Sequence, residues 1–84
     1  MKENFIKQKS PIIGADGNIF NLIGIASKSL KKEGYYEEAN EMSKRVMSSN
    51  SYEEALGIIM EYIDPVDEYE LDYGYDDITY EWIY

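Results

Sequence analysis

The sequence predicts a mainly α fold of the α+β kind: a compact three-helix body followed by a C-terminal acidic, aromatic β-hairpin. Three observations predict it. Apolar residues recur at helical spacing between residues 19 and 62, and helix start and stop signals punctuate that stretch. After Asp64-Pro65 the period changes to two. At 84 residues and 9.8 kDa there is room for one small core, which supplies only a few kcal/mol of net stability.

Along the chain, Asn4–Lys7 and Pro11–Gly14 are candidates for short strands. A hairpin over Ile12–Phe20 around Asp16-Gly17 is conceivable but loses to the longer helical stripe that begins at Ile19, and Pro11 argues against a central strand. In the first helix, 19–33, Ile19, Leu22, Ile23, Ala26 and Leu30 form one stripe. Asp16 or Asn18 supplies the N-cap, Lys28, Lys31 and Lys32 sit at the C-terminal end of the dipole, and Gly34 is the stop.

The second helix runs from Tyr35 to Met47, with Tyr35, Ala39, Met42 and Val46 inward. Glu37 and Glu38 lie in its first turn, Lys44 and Arg45 in its last. A capping box, Ser51 with Glu54, opens the third helix, whose inner face is Ala55, Ile58, Ile59 and Tyr62; Asp64-Pro65 ends it. Tyr36-Glu37-Glu38-Ala39 and Tyr52-Glu53-Glu54-Ala55 are the same tetrapeptide 16 residues apart, each opening a helix. Two copies are too few for a solenoid, and the short connections predict antiparallel neighbours.

Charge divides the chain unevenly. Residues 1–63, the helical body with its short N-terminal extended segment, hold 9 acids and 8 bases. Residues 64–84 hold 8 acids and no base, so nearly all of the net charge of −9 sits there. Acidic tails of the disordered kind are poor in aromatics, whereas this one carries Tyr69, Tyr73, Tyr75, Tyr80, Trp82 and Tyr84. Glu68, Glu70 and Asp72 alternate with Tyr69, Leu71 and Tyr73, and Ile78 to Tyr84 alternate again beyond the turn composition Gly74–Asp77. The expected hairpin is 68–73 with 78–83. Asp and Glu are poor strand formers, so their presence there points to another use.

Several chemistries find little footing. With no Cys and no His there is no disulfide, no ordinary zinc site and no Cys/His nucleophile pair, and no cofactor is expected. Any carboxylate pair can be chosen from 17 acids, so such pairs carry no signal for catalysis, and a non-enzymatic role is expected. Asp72-x-x-x-Asp76-Asp77 and Asp16-Gly17-Asn18 lack calcium-loop spacing, and Gly14-Ala15-Asp16-Gly17 lacks the lysine of a phosphate loop. No apolar run spans a bilayer and no secretory leader is expected; direct binding of nucleic acid conflicts with the charge. The expected setting is the cytoplasm of a bacterial host, which also removes tyrosine sulfation as an explanation for the Tyr-acid pairs.

The remaining use for the acids is imitation of phosphates. Along a strand, residues i and i+2 point to one side roughly 6.6–6.8 Å apart, on the order of the spacing of successive phosphates. Acids would supply charge to a cationic groove, and Tyr and Trp would anchor the contact. The candidate partner-binding residues are therefore Asp64, Asp67, Glu68, Tyr69, Glu70, Asp72, Tyr73, Tyr75, Asp76, Asp77, Tyr80, Glu81 and Trp82.

Gly14–Ser27 (GADGNIFNLIGIAS) together with Ser51–Tyr62 (SYEEALGIIMEY) resembles a group of small proteins carried by phages and conjugative elements of Gram-positive bacteria, over about residues 11–65. That group has no assigned activity, so the resemblance implies a mobile-element context and no site residues. In size and charge the chain also resembles anti-CRISPR inhibitors, many of which mimic DNA. The function expected is stoichiometric inhibition of a basic, nucleic-acid-binding host protein, most concretely a guide-RNA-loaded CRISPR effector. The alternative is a helical adaptor docking near Tyr35, Tyr36 and Tyr52, with the tail only solubilising.

Overall fold

The computed structural model describes residues 4–67; the predicted hairpin and every candidate residue from Glu68 onward lie outside the described residues. Five elements follow in order: strand β1 (Gln8–Ser10), helices α1 (Ile19–Lys32), α2 (Tyr36–Met47) and α3 (Tyr52–Tyr62), and strand β2 (Ile63–Pro65). Among the described residues no helix is long and apolar enough to cross a membrane.

The three helices form where their stripes place them, because each stripe has a partner to bury against. Leu22, Ala26 and Leu30 of α1 meet Ala39, Met42 and Val46 of α2, and Ala55, Ile58, Ile59 and Tyr62 of α3 complete the core. Ile19 and Ile23 flank it, half-buried. Both turn residues act at the start of α1. Asp16 accepts from the Asn18 amide (3.0 Å), and Asn18 accepts from the Phe20 amide (2.9 Å) as N-cap.

The exit of α1 is a Schellman turn. Gly34 N–H donates to Lys31 (2.9 Å) and Tyr35 N–H to Leu30 (3.0 Å), with Gly34 at φ 86°. Only glycine takes that backbone without strain. The repeated Tyr-Glu-Glu-Ala opens α2 and α3 alike, Ala39 and Ala55 being buried in each. The capping box of α3 is half made. Ser51 accepts from the Glu54 amide (3.0 Å), but the Glu54 carboxylate reaches the Asn50 amide (3.2 Å) instead of Ser51's own.

The N-terminal expectation needs correcting. Neither Asn4–Lys7 nor Pro11–Gly14 is a strand; the strand is the segment between them, pairing parallel with β2 in the register Gln8↔Ile63, Lys9↔Asp64, Ser10↔Pro65. The ladder continues past Pro65, since Val66 N–H donates to the Ser10 carbonyl (3.0 Å) and Ile13 N–H to the Val66 carbonyl (3.1 Å). Parallel strands need a long crossover, and here the entire helical body is that crossover. Phe5 is drawn into packing instead of pairing, edge-on to Tyr35 (centroids 4.8 Å) and Tyr62 (6.2 Å).

Two buried polar groups hold opposite positions in this scheme. Ser10, fully buried, accepts from Ser29 (2.9 Å), which ties β1 to α1. Glu38, in the first turn of α2 as expected, is buried, and its Oε1 has no hydrogen-bond partner among the described residues. An unsatisfied buried acceptor costs roughly 1–3 kcal/mol, which an apolar side chain of similar shape avoids. Glu38→Met is therefore expected to raise the urea midpoint of unfolding, and the unfolding free energy by about 1 kcal/mol after the lost dipole interaction is offset. A lowered midpoint would show that the carboxylate has a stabilising partner.

Candidate functional site

Of the predicted contact residues, Asp64 and Asp67 lie within the described residues. Asp64 is exposed in the middle of β2, beside Lys9 at one strand spacing, and Asp67 is exposed two residues beyond the strand. The charge boundary thus falls inside a packed element. Ile63 and Val66, on either side of Asp64-Pro65, are both buried, so the acidic stretch begins inside the packed body. No periodicity could reveal this, because β2 is three residues long and its partner lies some 55 positions upstream.

The body has its own polar arrangement at the C-terminal ends of α2 and α3, which the sequence signalled only as a basic last turn. Arg45 meets the Glu61 carboxylate with both ends of its fork, Nη1–Oε1 at 2.7 Å and Nη2–Oε2 at 3.2 Å. Its Nη1 also donates to the Tyr62 hydroxyl (3.2 Å), and the guanidinium carbon lies 5.8 Å from the centre of the Tyr62 ring. The hydrogen bond from Arg45 holds the Glu61 carboxyl below its ordinary value, helped by the charges of Arg45 and Lys7. Arg45 itself is held above the ordinary arginine value, chiefly by Glu61. Burial pushes the Tyr62 hydroxyl up, with a further upward push from Glu41, and against the hydrogen bond from Arg45.

The adaptor surface proposed from sequence does not assemble. Tyr35 is half-buried against Phe5 at the C-terminal end of α1, with exposed Tyr36 next to it. Tyr52 donates its hydroxyl to the Gly17 carbonyl (2.6 Å) at the other end. The 14 residues of α1, roughly 21 Å, lie between them. What the structure brings together is a different apolar surface. Phe20 and Met47, each 64% exposed, flank a groove of about 350 Å³ with Tyr52 at its edge. Sequence reasoning missed it because Phe20 and Met47 stand off the core stripes of their helices and read as ordinary surface.

A second grouping is cationic. Lys9 on β1 and Lys28, Lys31 and Lys32 on α1 are all exposed and line neighbouring grooves between the strand and the helix. The Arg45–Glu61 ion pair among the described residues includes none of these lysines.

Comparison with known proteins adds no family to this geometry: neither protein-family models, nor curated proteins, nor solved structures give a match.

The Arg45–Glu61 pair is 39% and 47% exposed, so solvent screens it. Its contribution is present above about pH 4.5, the ordinary value for Glu61, and is lost as pH falls through the lowered folded value. Tyr62 behaves oppositely: its contribution is intact below about pH 10 and is lost as pH rises through the raised folded value. Urea midpoints between pH 8 and 11 should therefore fall less steeply for Tyr62→Phe than for the wild type. Equal slopes would mean that the Tyr62 hydroxyl is not the buried group being titrated.

Proposed function

We propose that the chain is a stoichiometric, non-enzymatic inhibitor of mobile-element origin that occupies the polynucleotide-binding surface of a basic host protein, a CRISPR effector being the concrete target. One observation carries the reading: 8 acids and no base in residues 64–84, interleaved with Tyr and Trp at period two. Such a segment offers a cationic groove repeated carboxylates at phosphate-like spacing, and aromatic anchors between them. Association with a groove of opposite sign is fast and salt-sensitive. The packing of Ile63 and Val66 supports the reading, since the first acid, Asp64, is then presented at a lower ordering cost.

The exposed pair Phe20 and Met47 favours a second reading, in which the body is an adaptor that seats an apolar partner segment in the groove beside Tyr52. Two full-length variants separate the readings. Glu68→Lys with Glu70→Lys and Asp72→Lys should abolish capture of the host target while circular dichroism stays helical. Phe20→Asp with Met47→Asp should leave capture intact. Excess duplex DNA should also displace the wild-type chain from its target. Capture that survives the first pair of conditions and fails with the second variant assigns the function to the groove, and simultaneous binding of chain and DNA rules out direct occlusion.

A further inference from the structure

The two edges of the small sheet differ in what their backbones offer. On β2 the outward residues are Ile63 and Pro65. The Ile63 N–H is already given to the Ile59 carbonyl at the end of α3, and Pro65 has no N–H. On β1, Ser10 presents its carbonyl to Val66, so the N–H and C=O groups of Gln8 and Ser10 point toward β2. Those of Lys9, one residue out of phase, point away from it, and they enter no backbone bond with another element among the described residues. One edge therefore lacks a donor, and the other keeps a donor and an acceptor at Lys9.

Positive charge is gathered along the same edge. Helix α1 carries Lys28, Lys31 and Lys32 and no acid, whereas α2 and α3 together hold six acids and two bases. The Ser29–Ser10 hydrogen bond holds α1 against β1. The groove between them is lined by Lys7, Lys9 and Lys32 toward the start of the strand and by Lys28 and Lys32 toward its end, with Glu33 the single acid on either lining. Lys28 and Lys32 are one helical turn apart, a rise of about 6 Å. Alternate residues of an extended peptide are roughly 6.6–6.8 Å apart, so acids at every second position match the two lysines.

We infer that this edge is a docking site for an extended acidic peptide segment of a partner protein, which adds beside β1 by β-augmentation and sets alternate carboxylates against Lys28 and Lys32. Two independent features select that occupant. The backbone pair at Lys9 is matched by another peptide backbone and not by a nucleic acid, and the lysines are matched by acids. A second copy of the chain fits poorly, because pairing β1 with its own equivalent sets one lysine-lined edge against another. At about 100 mM salt the attraction acts within roughly 10 Å, so the chain's overall negative charge opposes it little. The inference rests on the described body alone and is independent of the mimicry reading.

The test titrates the full-length protein with a capped peptide of about nine residues that alternates glutamate with threonine, at about 100 mM salt. Saturating peptide should slow exchange of the Lys9 amide at least about fivefold. Lys28→Gln with Lys32→Gln should weaken binding at least about tenfold with helical circular dichroism unchanged, and Lys44→Gln, on α2, should leave it as it is. A second peptide, with proline in place of threonine, keeps every charge and loses alternate N–H groups; it should bind at least about tenfold more weakly. Equal binding of the two peptides, or of a short duplex DNA, would overturn the inference, since the lysines would then hold any polyanion. So would Lys9 exchange that the peptide leaves unchanged, which would mean that the lysines merely blunt an open edge. A doubled mass in the absence of peptide, reversed by Lys9→Glu, would assign the edge to a second copy instead. Binding seen only in Glu68→Gln/Glu70→Gln/Asp72→Gln would assign it to the chain's own acids, and likewise sink the proposal.

Discussion

The body depends on a parallel pairing between two three-residue strands that bracket all three helices. Bringing Gln8 to Ile63 closes a loop of some 55 residues, which costs roughly 3.5 kcal/mol of chain entropy. The pairing is held because it carries apolar burial with it. Tyr62, Ile63 and Val66 are all buried there, and full burial of a large apolar side chain contributes about 1.5–3 kcal/mol. Phe5 adds ring contacts to Tyr35 and Tyr62 from the N-terminal side, and Ser10 fastens the strand to α1 through Ser29. The helices therefore pack inside a clasp, and Tyr62 belongs to the helical core, the aromatic contact and the Arg45 network at once.

The helices were readable in the sequence because their signals are local. Ile19 to Leu30 is a stripe with two cap residues before it and a glycine after it, and each of these acts as its residue type suggests. The strands were not readable for the converse reason. Gln8-Lys9-Ser10 shows no alternation of apolar and polar residues, and it becomes a strand only through a partner on the far side of the body. Glu37 and Glu38 lie in the first turn of α2 as the dipole favours, and the burial of Glu38 comes from the packing of α2, which no local signal reports. The candidate acids were identifiable as composition and as a two-residue period, and Asp64 and Asp67 are the two whose placement the structure supplies.

Charge is organised on two scales. Arg45 and Glu61 form a short-range, bidentate pair that joins two helix ends and leaves neither charge over. That pair includes none of the lysines of α1 and β1, and residues 1–63 are nearly neutral in sum. A nearly neutral body that gathers Lys9, Lys28, Lys31 and Lys32 beside β1 and α1 presents a local cationic face. Its encounters with charged surfaces follow orientation as much as net charge.

Pro65 sets a limit on what the small sheet can become. Two-stranded sheets with both margins open are seeds for end-to-side stacking of identical chains, each copy templating the next. Here the imino acid withholds a donor on one margin, so a strand recruited on the other margin terminates the array instead of extending it. The Pro65 margin is thereby a poor template for a further strand, which disfavours open-ended stacking of copies through it.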